Sequence, residues 1–201
     1  MIDVRAQSRS ALRARNPEQG EPAAEDGEGK TAAAVMLLLY EQDGREHILF
    51  QERTQHVQHH KGEISLPGGR RDATDETLLE TALRETDEEI GVTAADIEVF
   101  GSLDLVVTTL SNYAISPFAG AITSDGEYPF KMAEREVKEL LVVPVDHLMD
   151  TSHVEWTVRE LGGVTSDERV FHYGEHRIWG ATARILGHYL DLFATADGTP
   201  A

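Results

Sequence analysis

The sequence predicts an α/β domain of the α+β type, with a mixed central β-sheet held between helices. Apolar runs of strand length recur through the chain, a capped amphipathic helix interrupts them after Thr77, and a second amphipathic helix comes last. At 201 residues the chain is long enough for one domain with a full core.

Residues 1–16 carry Arg5, Arg9, Arg13 and Arg15 among small residues and read as a short helix packed on the domain. A targeting segment is the poorer reading, because the stretch lacks the apolar core of a secretory signal. Pro17-Glu18-Gln19-Gly20-Glu21-Pro22 opens an acidic flexible linker that runs to residue 30, which places the domain proper at 31–197. Thr31 to Tyr40 is an apolar strand, and the run Val35 to Leu39 is long enough to be buried on both faces. Asp43-Gly44 marks a turn into a second strand, His47 to Gln51. Leu66-Pro67-Gly68-Gly69 is expected as a turn closing a further strand. After the first amphipathic helix, Ile97 to Val107 and Tyr113 to Ile122 read as strands. Leu141 to Met149 starts extended and turns helical after Pro144. Val154 to Arg159 with Val170 to Tyr173 makes a late hairpin, and Trp179 to Phe193 is a final helix with Ala183, Leu186, Tyr189 and Leu190 on its apolar face.

The first amphipathic helix carries the chemistry. Thr77-Leu78-Leu79-Glu80 fits a capping box, and Gly91 is a natural C-terminal stop. Leu79, Ala82, Leu83, Thr86 and Ile90 fall on one stripe, with Glu89 at its flank, Glu85 just beyond and Glu88 further round. Arg84 lies one turn from both Glu80 and Glu88 and is placed to hold a carboxylate. Like charges at the spacing of Glu85, Glu88 and Glu89 repel, which calls for cations. Oxygen ligands with room for water suit magnesium or manganese. Taken alone, the helix reads more readily as a solvated acidic face. The preceding loop changes that reading, since the glycine pair lets backbone approach a ligand closely and offers the Gly69 carbonyl as a further oxygen.

Loop, glycine pair, Glu76, Arg84 and the glutamate trio together resemble the Nudix hydrolase box. The family's usual form places its first glutamate six positions after the glycine, whereas Glu76 comes seven after Gly69; everything from Glu76 onward keeps register, with Thr86 where an apolar residue is usual. The upstream stretch Leu49-Phe50-Gln51-Glu52-Arg53-Thr54, with Gln58, His60, Gly62, Glu63, Ser65 and Leu66, resembles the coenzyme A pyrophosphatase subgroup, longer loop included. Gly101-Ser102-Leu103-Asp104 through Thr109 to Ser116-Pro117-Phe118, and Ile178-Trp179-Gly180-Ala181-Thr182-Ala183, resemble it too, so the likeness spans roughly residues 32–195. Gln58 stands where the subgroup usually has a second arginine, Leu66 where it has phenylalanine, and Thr54 where it has serine or alanine. An arginine lost is a bidentate phosphate clamp lost.

The resemblance implies a Nudix α-β-α sandwich that hydrolyses the diphosphate of a nucleotide conjugate with magnesium or manganese. It implies that Glu85 and Glu89 bind metal directly, that Glu88 and the Gly69 carbonyl complete the site, that Arg84 orients, and that Glu76 supplies a supporting charge. Glu89 is the first choice for the group that takes the water proton. Glu136, ahead of the apolar run Leu140-Leu141-Val142-Val143, is the alternative from a later loop, and a surface carboxylate is its bland reading. On the substrate side stand Arg53, His60, Gly62 and Gly68; an ion pair at a strand end is the competing role for Arg53. The favoured substrate is coenzyme A or an acyl derivative. Related nucleoside diphosphate conjugates (ADP-ribose, NADH or a dinucleotide) stay open because of Gln58, and a binding module without catalysis is argued against by the intact trio.

The rest of the sequence narrows the classes. His56, His59 and His60 invite zinc but lack a matching fourth ligand. Ser65, Ser111 and Ser116 have no Gly-x-Ser-x-Gly setting, so serine hydrolysis is unsupported. Trp156 and Trp179 read as core anchors. Cysteine is absent, which excludes disulfides and thiol chemistry and is compatible with the cytoplasm. The net charge of −18 argues against nucleic acid, and no apolar run is long enough to cross a membrane. Only Lys30, Lys61, Lys131 and Lys138 are lysines, a bias that a salt-rich cytoplasm would favour. The expected partner is a small nucleotide diphosphate, with a homodimer left open.

Overall fold

The computed structural model describes residues 3–13, 29–54, 62–124, 127–161 and 164–194. Most of the expected linker, and Gln58 with His56, His59 and His60, lie outside the described residues.

Strand β1 (Thr31–Gln42) is the centre of the main sheet. It pairs antiparallel with β2 (Arg45–Arg53) and parallel with β7 (Tyr113–Ile122), which makes the sheet mixed as expected. Around these lie β3 (Ile64–Ser65) on β2, β4 (Gly68–Arg70) on β1, β5 (Ile97–Ser102) and β6 (Val106–Val107) on β7, and β8 (Val137–Pro144) on β2. Side chains alternate along a strand, so consecutive residues of β1 serve opposite faces. Leu37 and Leu39 enter one core, Met36 and Leu38 the other, and both faces are dry.

Helices fill each face. Helix α1 (Val4–Leu12) and helix α4 (Gly180–Ala194) cover the Leu37 side, joined by a buried hydrogen bond of 2.7 Å between Ser8 Oγ and the Tyr189 hydroxyl. The arginines of α1 therefore anchor it: Arg5 pairs with Glu46 at 2.6 Å, and Arg9 makes two 2.8 Å bonds to Glu98. Helix α2 (Leu78–Ile90) covers the Met36 side through Leu78, Ala82 and Ile90. Its buried face is rotated from the expected stripe. Thr81 and Glu89 are buried, while Leu79 and Leu83 are only half-buried, because α2 leans its glutamate side onto β2 and β4. The capping box is present: Thr77 Oγ1 accepts the Glu80 amide at 3.1 Å, and the Glu80 carboxylate accepts the amides of Thr77 and Glu76. Gly91 ends the helix with a left-handed φ of 73°.

A second, smaller sheet continues the chain after helix α3 (Val145–Met149). Strand β10 (Val164–Tyr173) lies between β9 (Val154–Leu161) and β11 (His176–Ile178) and rests on α4. The expected hairpin is thus longer than the sequence suggested, and β11 was not anticipated.

Three other expectations are corrected. The strand expected over 97–107 breaks after Ser102; a bulge between Val99 and Gly101 bends the chain away before β6 rejoins the sheet. Gly68 and Gly69 form a short strand on β1 and not a turn. The tryptophans are not core anchors: Trp156 is 65 % exposed and Trp179 48 %, because Phe171 and Ile178 already fill the space under the second sheet.

The cap makes a stability prediction. Thr77→Ala removes the acceptor for the Glu80 amide and is expected to cost about 1 kcal/mol, read as a lower urea midpoint with an unchanged slope.

Candidate active site

The site forms where the last two turns of α2 press on β2 and β4. Glu89 is its deepest carboxylate, 2 % exposed. Both Gly68 N–H (2.8 Å) and Gln51 Nε2 (2.7 Å) donate to its Oε2, and Arg53 approaches Oε1 at 3.4 Å. Burial pushes the Glu89 carboxyl up to about 7, against the opposing pull of these donors. Gly68 is required here by space. A Cβ on it would collide with the Ala34 carbonyl, so no side chain can stand between that amide and Glu89.

Glu85 is the second carboxylate. It lies directly on Gly69, whose missing Cβ would overlap the Glu85 carboxylate itself. Burial again raises its pKa, Arg84 opposes this, and the nearby charges of Glu88 and Glu136 add to the rise. Glu136 is exposed on the segment after Tyr128. That segment crosses the C-terminal end of α2, where Lys131 N–H caps the Ile90 carbonyl and Ala133 N–H caps that of Glu89. The Glu136 carbonyl accepts Thr54 N–H at 2.8 Å, which ties the segment to the end of β2. Glu88 is the outermost of the trio, 62 % exposed, and accepts Arg84 Nη1 at 3.1 Å.

Arg84 does hold a carboxylate one turn away, Glu88, and holds Glu85 as well. It donates to Glu85 at 2.9 Å and to Glu88; Glu80 is instead consumed by the capping box. Its other edge makes two 3.0 Å bonds to Asp75, and its Nη2 also reaches the Arg70 carbonyl at 3.2 Å. The paired charges hold Asp75 well below the usual carboxylate range and Arg84 above its own. Glu76, expected to supply the supporting charge, is exposed, and among the described residues its contacts are through backbone, its amide to Glu80 and its carbonyl to Arg71. Asp75 stands in the supporting place. It lies six positions after Gly69, the very spacing at which the sequence pattern calls for an acid, and that spacing could have found it.

Gln51 was also missed as a site residue. Its signal is a polar residue two before Arg53 on an apolar strand, so both side chains leave the same face toward α2. Arg53 holds Glu89 and is also fixed by backbone, donating to the Glu63 carbonyl and accepting Gly62 N–H, each at 3.0 Å. Gly62 has a left-handed φ of 69°, so it shapes the turn after the loop. His60 lies outside the described residues.

The arrangement gathers mutually repelling carboxylates against the glycine strand, Glu89 buried, Glu85 half-buried and Glu88 exposed, with Arg53 and Arg84 as local counter-charges. All donors are oxygen, the set that suits hard divalent ions. Among the described residues no three of these side chains already surround one point, since Arg84 holds Glu85 and Glu88 to itself.

Fold and site together define a diphosphate-hydrolase architecture, an acid helix laid across a glycine strand inside an α-β-α sandwich. The chain belongs to the Nudix hydrolase family and is a Nudix pyrophosphohydrolase: the NUDIX domain profile matches residues 30–161. It is 30 % identical over 183 residues to Nudix hydrolase 3 of Caenorhabditis elegans, covering 83 % of this chain and 75 % of that one. It is 33 % identical over 171 residues to the mitochondrial coenzyme A diphosphatase NUDT8 of Homo sapiens, covering 84 % and 72 %. Among solved structures, a MutT/nudix family protein from Enterococcus faecalis aligns with a TM-score of 0.56 at 17 % identity, over 85 % of this chain and 63 % of that one. The Nudix hydrolase RenU of M. smegmatis gives a TM-score of 0.52 at 19 % identity, over 83 % and 88 %. Nudix hydrolases generally use divalent metals. Among the described residues no helix is long and apolar enough to cross a membrane.

The Asp75–Arg84 pair predicts a pH signature. Because the folded pKa of Asp75 lies below its unfolded value near 3.9, its contribution is fully present above about pH 4 and fades as pH falls toward the folded value. Asp75→Asn is therefore expected to be less stable than wild type at pH 7, with the gap narrowing below about pH 4 in urea melts.

Proposed function

We propose that this chain hydrolyses the diphosphate of coenzyme A or an acyl-coenzyme A, with magnesium or manganese, yielding 3′,5′-adenosine bisphosphate and (acyl-)4′-phosphopantetheine. The observation that carries the chemistry is the pair of carboxylates where α2 meets the glycine strand, Glu89 buried and Glu85 half-buried, set against Gly68 and Gly69. The substrate assignment is supported by the likeness to the coenzyme A diphosphatase across most of the chain and by the subgroup pattern from Leu49 to Gly69. A cytoplasmic setting suits a chain without cysteine.

In this reading Glu85, Glu89, Glu88 and the Gly69 carbonyl hold the ions. Divalent ions held by these residues would supply charge neutralisation at the phosphoryl oxygens and a lowered pKa for the attacking water. Glu89 would reach them through Oε1, which only Arg53 approaches, at 3.4 Å, since Oε2 is held by Gly68 and Gln51. Asp75 fixes Arg84 so that Glu85 and Glu88 are delivered in defined rotamers. Glu89, the first candidate for the water proton, is buried with both oxygens engaged; Glu136 is exposed and borne on a separate segment. That contrast favours Glu89 as a fixed ligand and Glu136 as the proton acceptor. Arg53, Gly62 and His60 are assigned to the substrate phosphates. A second reading, hydrolysis of ADP-ribose, NADH or a dinucleotide, is favoured by Gln58 in place of an arginine.

The test is a metal-dependent assay across coenzyme A, acyl-coenzyme A, dephospho-coenzyme A, ADP-ribose, NADH and diadenosine polyphosphates, with products identified by mass. Preference for coenzyme A over its dephospho form is expected; preference for ADP-ribose or a dinucleotide sinks the coenzyme A assignment. Glu136→Gln should lose kcat while keeping metal affinity, and Glu89→Gln should lose both without unfolding. A further expectation concerns Gln51, whose Nε2 donates to the buried Glu89 carboxylate at 2.7 Å. Gln51→Met removes that donor, so manganese affinity should fall roughly 10-fold or more and the melting temperature of the metal-free protein should fall as well.

A further inference from the structure

Strand β9 is the outer strand of the second sheet, and among the described residues it pairs only with β10. Proteins usually defend such an edge with charge, proline or a bulge. Here the edge instead carries Trp156 at 65 % and Val158 at 71 % exposure, two residues apart and so on one face. The other face alternates charges. Glu155 is held by His172 Nε2 at 2.9 Å, and Arg159 by Glu168 at 3.2 Å, so both side chains are fixed in place.

We propose that β9 is a homodimer interface, in which two copies of this chain pair their β9 strands antiparallel about a two-fold axis through Thr157. The register follows from the strand's own order. About Thr157, Trp156 meets Val158 of the second copy, and Glu155 meets Arg159 of the second copy; each contact occurs twice. The apolar face becomes one cluster of two tryptophans and two valines, and the charged face carries two cross-strand ion pairs. Moving the axis to Trp156 sets Glu155 against Thr157, and moving it to Val158 sets Trp156 against Glu160, so neighbouring registers forfeit both matches. Trp156 already lies under the Arg169 guanidinium, 5.6 Å from its ring centre, and Arg169 is pinned by two bonds to Asp191. The aromatic anchor is therefore preordered, as in the buried centres of interfaces. The net charge of −18 on each copy opposes association, but at physiological salt that repulsion is screened beyond about 8 Å.

The experiment is sedimentation of the full chain at physiological salt, up to roughly 0.5 mM, which reaches weak complexes. Wild type is expected to show a dimer that grows with concentration. Glu155→Arg sets arginine against arginine and Arg159→Glu sets glutamate against glutamate, so each variant alone should be monomeric. Mixed in equal amounts, the two variants regain both ion pairs and should form a heterodimer, which a merely unfolded variant would not do. Trp156→Thr gives an independent loss of dimer should a charge reversal fail to fold. A wild type that stays monomeric, single variants that dimerise as wild type does, or a mixture that stays monomeric overturns the proposal.

Discussion

The desolvated Glu89 carboxylate is the constraint on which the site depends. An ionised group taken out of water must be met by donors held in place, or it takes up a proton. Three donors do this from two strands: Gly68 N–H from β4, and Gln51 and Arg53 from β2. Their geometry fixes how far α2 slides along the sheet and how far it turns about its axis. That is why the buried face of α2 includes a glutamate, and why Leu79 and Leu83 are left half-exposed. Glycine at 69 follows from the same approach, since a Cβ there would overlap the Glu85 carboxylate, whereas Gly68 is required by the β1 backbone at Ala34 and Val35.

The glutamates sit at an unfavourable end of their helix. The C-terminus of α2 carries the negative end of the helix dipole, and its last turn has no basic residue. Arg84 relieves part of this by bridging Glu85 and Glu88, and Asp75 keeps Arg84 in position. The residue inserted into the loop between the glycines and the helix therefore changes little. An acid is still supplied six positions after Gly69, while Glu76 is carried out to solvent with its backbone amide engaged. A Nudix hydrolase that loaded cations here would find Glu89 already desolvated and the Arg84 counter-charge already anchored.

The second sheet is built on a different logic. Phe171 and Ile178 belong to the main core and Val154 of β9 packs against it, while further along β9 Trp156 and Val158 are exposed. Exposed aromatic surface on an outer strand is thus a consequence of where the core ends.

By itself the sequence determined the elements whose signals are local. The two-face burial of β1, the Thr77 capping box, the Gly91 stop, the turn at Pro144 and the final helix are each written in residues a few positions apart. The glutamate trio and the glycine pair were legible for the same reason, because spacing along a helix and beside a strand is a short-range property. What only the tertiary structure decided involves partners far apart in the chain. Gln51 meets Glu89 across 38 residues, and the choice of Asp75 over Glu76 rests on which carboxylate faces Arg84 when the loop folds back. The exposure of Trp156 rests on the core being filled by Phe171 before the tryptophan is reached. Composition marks such side chains as apolar or charged; which of them the interior has room for is set by the packing of distant segments.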